Sequence, residues 1–476
     1  MNLRFLILCS LAGGLAGIFG SLFHIAADGA LSLHITWAEG LDGPVGGYAG
    51  SVWDRINTGW FGGTLDDRLA RGWDWLDTDV FDGALGPRDG NLLALQIFGS
   101  AILSIVMLAL AIWLVHRFSP EAGGSGIPEV EGAIGARLPL RWHRVLPVKF
   151  LGGILSIGSG AVVGREGPTI HIGASISEWL GEMARLDGSE RRGMIAAGAA
   201  AGLAAAFNAP VASVLFIMEE TRDQFPYGVA TVTGVILASI FSAIATGLMI
   251  GPGAMLPIDV AVPGFDFVYF ALALGAVLGV FGLIFNRGLI LALDIMQTRR
   301  LWARAVMVVV VGGALGSLLV IDVSTVEGGE GLITNLATGS EPIKLMIVLI
   351  LARFLLTVAS YGMGVPGGLF APILALATCL GIACAGMAQM ASWPTAVPSD
   401  ASAVIAMAGL FAATVRAPMV GVVLTAELTG SFELFLPLLA CAGAAHLVSE
   451  GLRNRPIYEV LLERRLAAIG TGRPPR

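Results

Sequence analysis

Glu166 stands in Gly164-Arg165-Glu166-Gly167-Pro168, a carboxylate flanked by glycines within a long apolar region. Proline suits the first turn of a helix, so a helix should begin near Gly167 or Pro168, its free N–H groups pointing into that region. The positive end of such a helix favours anions. Glu166 can fill the anion position with its own carboxylate, or take a proton and leave, which would give one side chain the roles of gate and proton carrier. The plainer alternative is a capping carboxylate with Arg165 as a packing ion pair; an ionisable residue in such surroundings favours function. Two other Gly/Pro-rich strings interrupt apolar sequence in the same way: Gly124-Ser125-Gly126-Ile127-Pro128, and Gly367 to Pro372 with Leu369 and Phe370 between. The Ser125 hydroxyl can donate to an anion without the grip of a fixed charge, so the ion can still leave. Gly126 and Ile127 form the helix start behind it. Gly367 and Gly368 allow close backbone approach, so Leu369 and Phe370 would offer main-chain N–H. Each string alone is weak, and together they imply three broken helices around one anion site.

The surrounding chain explains why breaks matter. Its 476 residues are 55% hydrophobic and 13% charged, where soluble domains carry about a quarter, and the mean hydropathy is +0.80. This is the composition of an all-α polytopic membrane protein. In lipid an interrupted helix is tolerated only where its freed backbone groups line a cavity or bind something. The 65 glycines also suit close helix packing. Apolar spans fall at about 5–27, 92–115, 145–160, 168–184, 193–217, 228–250, 267–293, 303–321, 343–360, 369–391, 402–426 and 433–449. Several are shorter than the ~20 residues of an upright span, so tilted and re-entrant helices are expected. Arg4 and trailing small residues give the first span some look of a cleaved signal peptide, but its length fits a spanning helix.

The organisation reads as one transport domain: a first helix at 1–27, a long Trp-rich outer loop at 28–91, and repeat halves at 92–250 and 260–465, with no appended soluble domain. The string at 201–220 resembles that at 408–428; aligned on Ala209-Pro210 and Ala417-Pro418, Glu219 falls opposite Glu427. Related halves with matching interruptions mark repeat-built transporters whose site lies between the halves. Arginine clusters around 117–144, 287–304 and 453–465, with Lys149, should be cytoplasmic, and so should the termini. The acidic stretches 28–91 and 322–341 then fall outside.

Other polar residues are less telling. Glu220 ends an apolar helix before Thr221 and Arg222, which by position alone fits a solvated helix end; Glu131, Lys149, Arg416 and Glu427 are ambiguous, the last two as structural pairs. The six histidines show no ligand spacing, and His171, five residues after Glu166, reads as a packed or pore-side residue. The four cysteines lie in apolar runs as small buried hydrophobes. No metal site, nucleotide loop or cofactor is expected, and a net charge of −7 argues against nucleic acid.

GSGIPEVEG, GREGPT, GGLFAP and the C-terminal Tyr458 of Arg455-Pro456-Ile457-Tyr458, in that order, resemble the CLC family of chloride channels and proton-coupled antiporters, the bacterial antiporters most of all, over roughly 92–465. The resemblance implies a homodimer in the cell inner (plasma) membrane, each subunit built of two inverted halves with its own pathway. Ser125 and Tyr458 would supply hydroxyls to a central chloride, Leu369 and Phe370 backbone N–H groups, and Arg165 to Gly167 the outer site. Glu166 matches the gating glutamate. Glu220, in the Glu-Glu-x-Arg setting of 219–222, resembles the internal proton glutamate of antiporters. Serine at 125 resembles the chloride-preferring form, where a nitrate exchanger has proline; a fluoride exchanger fits these motifs less well. Chloride/proton exchange is the function implied, with a passive chloride channel as the alternative. An intramembrane enzyme using Glu166 and Glu220 lacks a nucleophile or histidine cluster, and a cation-coupled transporter would not aim helix starts at its ion. The long 28–91 loop, the short N-terminus and His171 depart from the pattern.

Overall fold

Apolar segments satisfy their backbone in lipid as helices, and helix is the regular structure found here. A computed structural model describes residues 3–39, 90–260, 262–298, 301–338, 342–394 and 396–470. Among the described residues β-pairing is confined to two isolated bridges. The first half holds α1 (Leu3–Glu39), α2 (Gly90–Phe118), α3 (Ile127–Ile134), α4 (Trp142–Gly158), α5 (Glu166–Met183), α6 (Gly188–Phe207), α7 (Pro210–Glu220) and α8 (Val229–Met249). The second holds α9 (Phe267–Thr298), α10 (Leu301–Ile321), α11 (Glu330–Thr338), α12 (Ile343–Gly362), α13 (Phe370–Met390), α14 (Ser399–Thr414), α15 (Pro418–Thr429), α16 (Phe435–Gly451) and α17 (Ile457–Gly470). Among the described residues eight helices are long and apolar enough to cross a membrane, so this is a multi-pass membrane protein.

Three boundaries differ from the sequence expectation. The first helix does not stop at residue 27 but continues to Glu39, because Leu31, Ile35 and other apolar residues keep packing inward. Residues 28–39 and 90–91 of the expected outer loop are therefore helix, and residues 40–89 lie outside the described residues. The apolar runs 193–217 and 402–426 are each two helices. Asn208 and Arg416 adopt left-handed backbone, and a proline one residue beyond Ala209 or Ala417 opens a new helix. Proline cannot donate the N–H that a continuing helix needs.

The duplication is visible in the backbone. Ala209 (φ −121°, ψ 76°) and Ala417 (φ −115°, ψ 78°) have nearly the same conformation. The carboxylate of Glu427, in the last turn of α15, accepts from Val211 N (3.1 Å) and Ala212 N (2.7 Å) at the start of α7. Glu219, in the last turn of α7, accepts from Met419 N (3.4 Å) and Val420 N (2.9 Å) at the start of α15. Each helix ends where the other begins, so α7 and α15 run antiparallel and cap one another, as inverted repeats require. Arg416 does not pair with Glu427; its guanidinium binds Glu450 and the Asn454 carbonyl. Glu427→Ala should lower stability by about 1–2 kcal/mol, the worth of a helix cap. Thermal unfolding in detergent measures this, and an unchanged midpoint would contradict the reciprocal cap.

Alanine-rich α6 and α14 lie at the centre, with Ala199 to Ala206 and Ala403 to Ala413 almost wholly buried. Their small side chains let the broken-start helices α5 and α13 approach closely: a Cβ on Gly198 would collide with Gly173 O of α5, and one on Gly381 of α13 with Ser402 O of α14. This sets the helix starts deep in the bundle.

Candidate functional site

The three interruptions are bonded to one another. Gly124 N donates to Val365 O (3.1 Å) and Gly367 N to Gly124 O (3.0 Å), while Gly164 and Gly368 exchange both backbone bonds at 2.9 and 2.7 Å. The third string therefore holds the first on one side and the second on the other. Aligned through Gly164 and Gly368, the two halves place Glu166 and Phe370 at equivalent first positions of α5 and α13.

Glu166 is fully buried. Its Oε1 accepts from Phe370 N at 2.5 Å, and Oε2 has no hydrogen-bond partner. The carboxylate thus sits on the first amide of the opposite half's helix, the most positive point that helix offers. Gly164 and Gly368 make the room: a Cβ on either would overlap the carboxylate. A Cβ on Gly167 would come within 2.7 Å of Ser125 O, so the second string also lies against the first.

Ser125 is buried, and Ile127 N donates to its Oγ at 3.3 Å. Tyr361, which the sequence analysis did not single out, reaches Ser125 N at 3.4 Å and Ser125 Oγ at 3.5 Å; it ends an apolar span with no motif to flag it. Gly126 is left-handed (φ +88°) and the His171 ring fills the place of its absent side chain. His171 is fully buried, neither ring nitrogen has a partner, and it borders a cavity of about 220 Å³ lined also by Glu121, Glu129, Arg141 and Arg465. Lys149 is not part of an exposed basic cluster. It is fully buried, its Nζ donating to Ala122 O (3.1 Å) and Gly124 O (2.6 Å), so it fastens the Ser125 loop.

Tyr458 begins α17 and is fully buried, its hydroxyl without a partner. Its ring lies 6.1 Å from Phe370, which Phe207, Phe216 and Phe411 also surround. Leu369 caps α13 and is fully buried. Four helix starts, those of α3, α5, α13 and α17, thus bring Ser125, Glu166, Phe370 and Tyr458 into one buried region.

Arg165 is expected to offer this site its backbone N–H, and its side chain is engaged elsewhere. Its guanidinium binds Asp28 and Glu330, with Nε to Glu330 Oε1 at 3.0 Å, and only its main chain adjoins Glu166. Glu220 closes α7, half-buried, with Glu131, Glu219, Glu459 and Arg222 as charged neighbours. The structure does not bring it against Glu166. Phe216, one turn back on α7, stands against Phe370 at 5.2 Å, and Tyr458 is a neighbour of both carboxylates.

A family model described as voltage gated chloride channel matches residues 107–450. The chain belongs to this CLC family. It is 38% identical over 398 residues to a protein of Vibrio parahaemolyticus named H(+)/Cl(-) exchange transporter ClcA, covering 83% of each chain. A Yersinia pseudotuberculosis protein of the same name is 37% identical over 412 residues, covering 85% of each. Among solved structures, a slow cyanobacterial Cl-/H+ antiporter superposes with a TM-score of 0.82 at 32% identity, over 98% of this chain and 99% of the other. A CLC-type fluoride/proton antiporter shares the fold at 20% identity and a TM-score of 0.63. The motifs that pointed to the CLC fold lie within the matched region, apart from the Tyr458 segment just after it.

Proposed function

We propose that this CLC protein exchanges chloride for protons across a bacterial inner membrane. It would work as a homodimer with cytoplasmic termini and a separate pathway in each subunit, and without a cofactor. The observation that carries the reading is the Glu166 carboxylate on the Phe370 amide: an anion belonging to the protein already sits at a helix start that suits a free one. Chloride would occupy the region of Ser125, Leu369, Phe370 and Tyr458, with Gly126 and Ile127 shaping the inner side and the backbone of Arg165 to Gly167 the outer. Proton binding would release Glu166, and its ionised return would displace chloride from the same dipole ends. Glu220 would pass protons between the cytoplasm and Glu166. The names of the relatives support exchange over passive conduction, and so does a carboxylate at 220.

Proteoliposomes given a chloride gradient and a pH dye test this. Uphill proton movement driven by chloride is expected. Chloride currents that ignore the pH gradient would favour the passive channel instead.

Gly368→Ala addresses the gate geometry. Gly368 does not use left-handed backbone, but an added Cβ takes space that the Glu166 carboxylate fills and comes within 2.8 Å of Gly167 N, so the start of α5 must also shift slightly. Overpacking of this kind costs about 1–3 kcal/mol, which is comparable to the charged hydrogen bond it opposes. Chloride flux should rise while protons carried per chloride fall; an unchanged ratio would show that the carboxylate does not need this position.

A further inference from the structure

The residue before the gate is tied down by both halves of the protein. Arg165 caps α5 immediately ahead of Glu166, so its position fixes where α5 starts. Its guanidinium reaches Asp28 of α1 at 3.3 and 3.4 Å and Glu330 of α11 at 3.0 Å. Asp28 in turn is shared: His24, one turn earlier on α1, places Nε2 2.9 Å from Asp28 Oδ2, the same oxygen that Arg165 uses at 3.3 Å. The Arg165 side chain is 8% exposed, whereas Asp28 is 38% and Glu330 28% exposed. Asp28 and Glu330 are thus more exposed than the Arg165 they hold, while the His24 side chain is 9% exposed. Glu327 is the next charged group, with Arg353, Asp28 and Arg165 as its neighbours.

We propose that His24, Asp28 and Glu330 are positioning residues that set the gate through Arg165, and that a proton taken up by His24 from the outer side loosens that hold. The inference rests on the exchange reading. A neutral imidazole N–H donates to the Asp28 carboxylate, and an imidazolium adds the attraction of a full positive charge to that bond. The imidazolium also repels the guanidinium across the shared carboxylate. Either effect draws Asp28 toward His24 and leaves Arg165 on Glu330 alone, so that α5 and Glu166 are freer to move. Imidazole changes charge between about pH 5 and 8, which makes this a reading of outer acidity separate from protonation of Glu166 itself.

His24→Gln keeps an N–H donor near Asp28 and removes the titration. In oriented proteoliposomes at fixed inner pH, chloride/proton exchange is measured with the outer pH at 5.5 and at 7.5. The unmodified protein should show a component of roughly two- to fivefold, the range of a partly exposed ion pair, that His24→Gln lacks. Asp28→Asn, which removes the shared carboxylate, should lose the same component and serves if His24→Gln does not fold. With Glu166→Ala as background, His24→Gln should leave the chloride flux profile unaltered, because there is no carboxylate left to aim. A profile unaffected by both variants would overturn the proposal, and so would an equal change in the Glu166→Ala background, which marks a purely structural histidine. Failure of the exchange reading would appear separately, as no uphill proton movement in the unmodified protein.

Discussion

Glu166→Ala is expected to abolish coupled proton movement while chloride still crosses. The carboxylate is the only side-chain anion bonded to the start of α13 among the described residues, and alanine cannot replace it as gate or as proton carrier. A hydrogen bond to a charged group is worth about 1.5–3 kcal/mol. Removing this competitor should therefore raise apparent chloride affinity by roughly tenfold or more. Chloride efflux with a pH dye reports the uncoupling, and calorimetric titration with chloride in detergent reports the affinity. The fold should tolerate the change, since Gly164, Gly167 and Gly368 keep their backbone bonds and contacts without the side chain. Retention of proton transport would remove Glu166 from the mechanism.

Glu220→Ala should also stop proton transport, by at least roughly a hundredfold, the lower end of what a positioned proton-transfer group contributes. Chloride flux should continue, and chloride affinity should stay near that of the unmodified protein because Glu166 still competes. This separates the two glutamates: one variant changes protons and chloride binding, the other protons alone. Among the described residues Glu220 has Glu131, Glu219 and Glu459 as like-charged neighbours and Arg222 as one of opposite sign, so alanine removes a carboxyl from unfavourable surroundings and thermal stability should not fall. Full proton coupling in Glu220→Ala would mean that cytoplasmic protons enter elsewhere.

The difference between these residues also shows how much could be read without coordinates. Glu166 was legible because its neighbours are glycines and a proline, which leave few local conformations and force a helix start beside the carboxylate. The Ala-Pro pairs at 209–210 and 417–418 announced the repeat for a similar reason, yet the same prolines were missed as helix breaks inside the runs 193–217 and 402–426, where uniform hydrophobicity masked them. Tyr361 and the buried Lys149 carry no local signature, and neither does the pairing of Asp28 with Arg165. Their partners Ser125, Gly124 and Arg165 lie 236, 25 and 137 residues away along the chain.

Legible from the residues alone are a duplicated bundle of apolar helices with interrupted starts and the identity of the residues at those starts. These follow from local chemistry: backbone groups must be satisfied in lipid, and Gly and Pro limit where a helix can begin. The packing of the two halves, and nothing local, sets the exchange of caps through Glu219 and Glu427, the seat of the Glu166 carboxylate on Phe370 N, and the pairing of the Arg165 guanidinium with Asp28 and Glu330. Each of those outcomes depends on which distant backbone amide or carboxylate comes into reach when the inverted halves pack, and local sequence does not encode that distance.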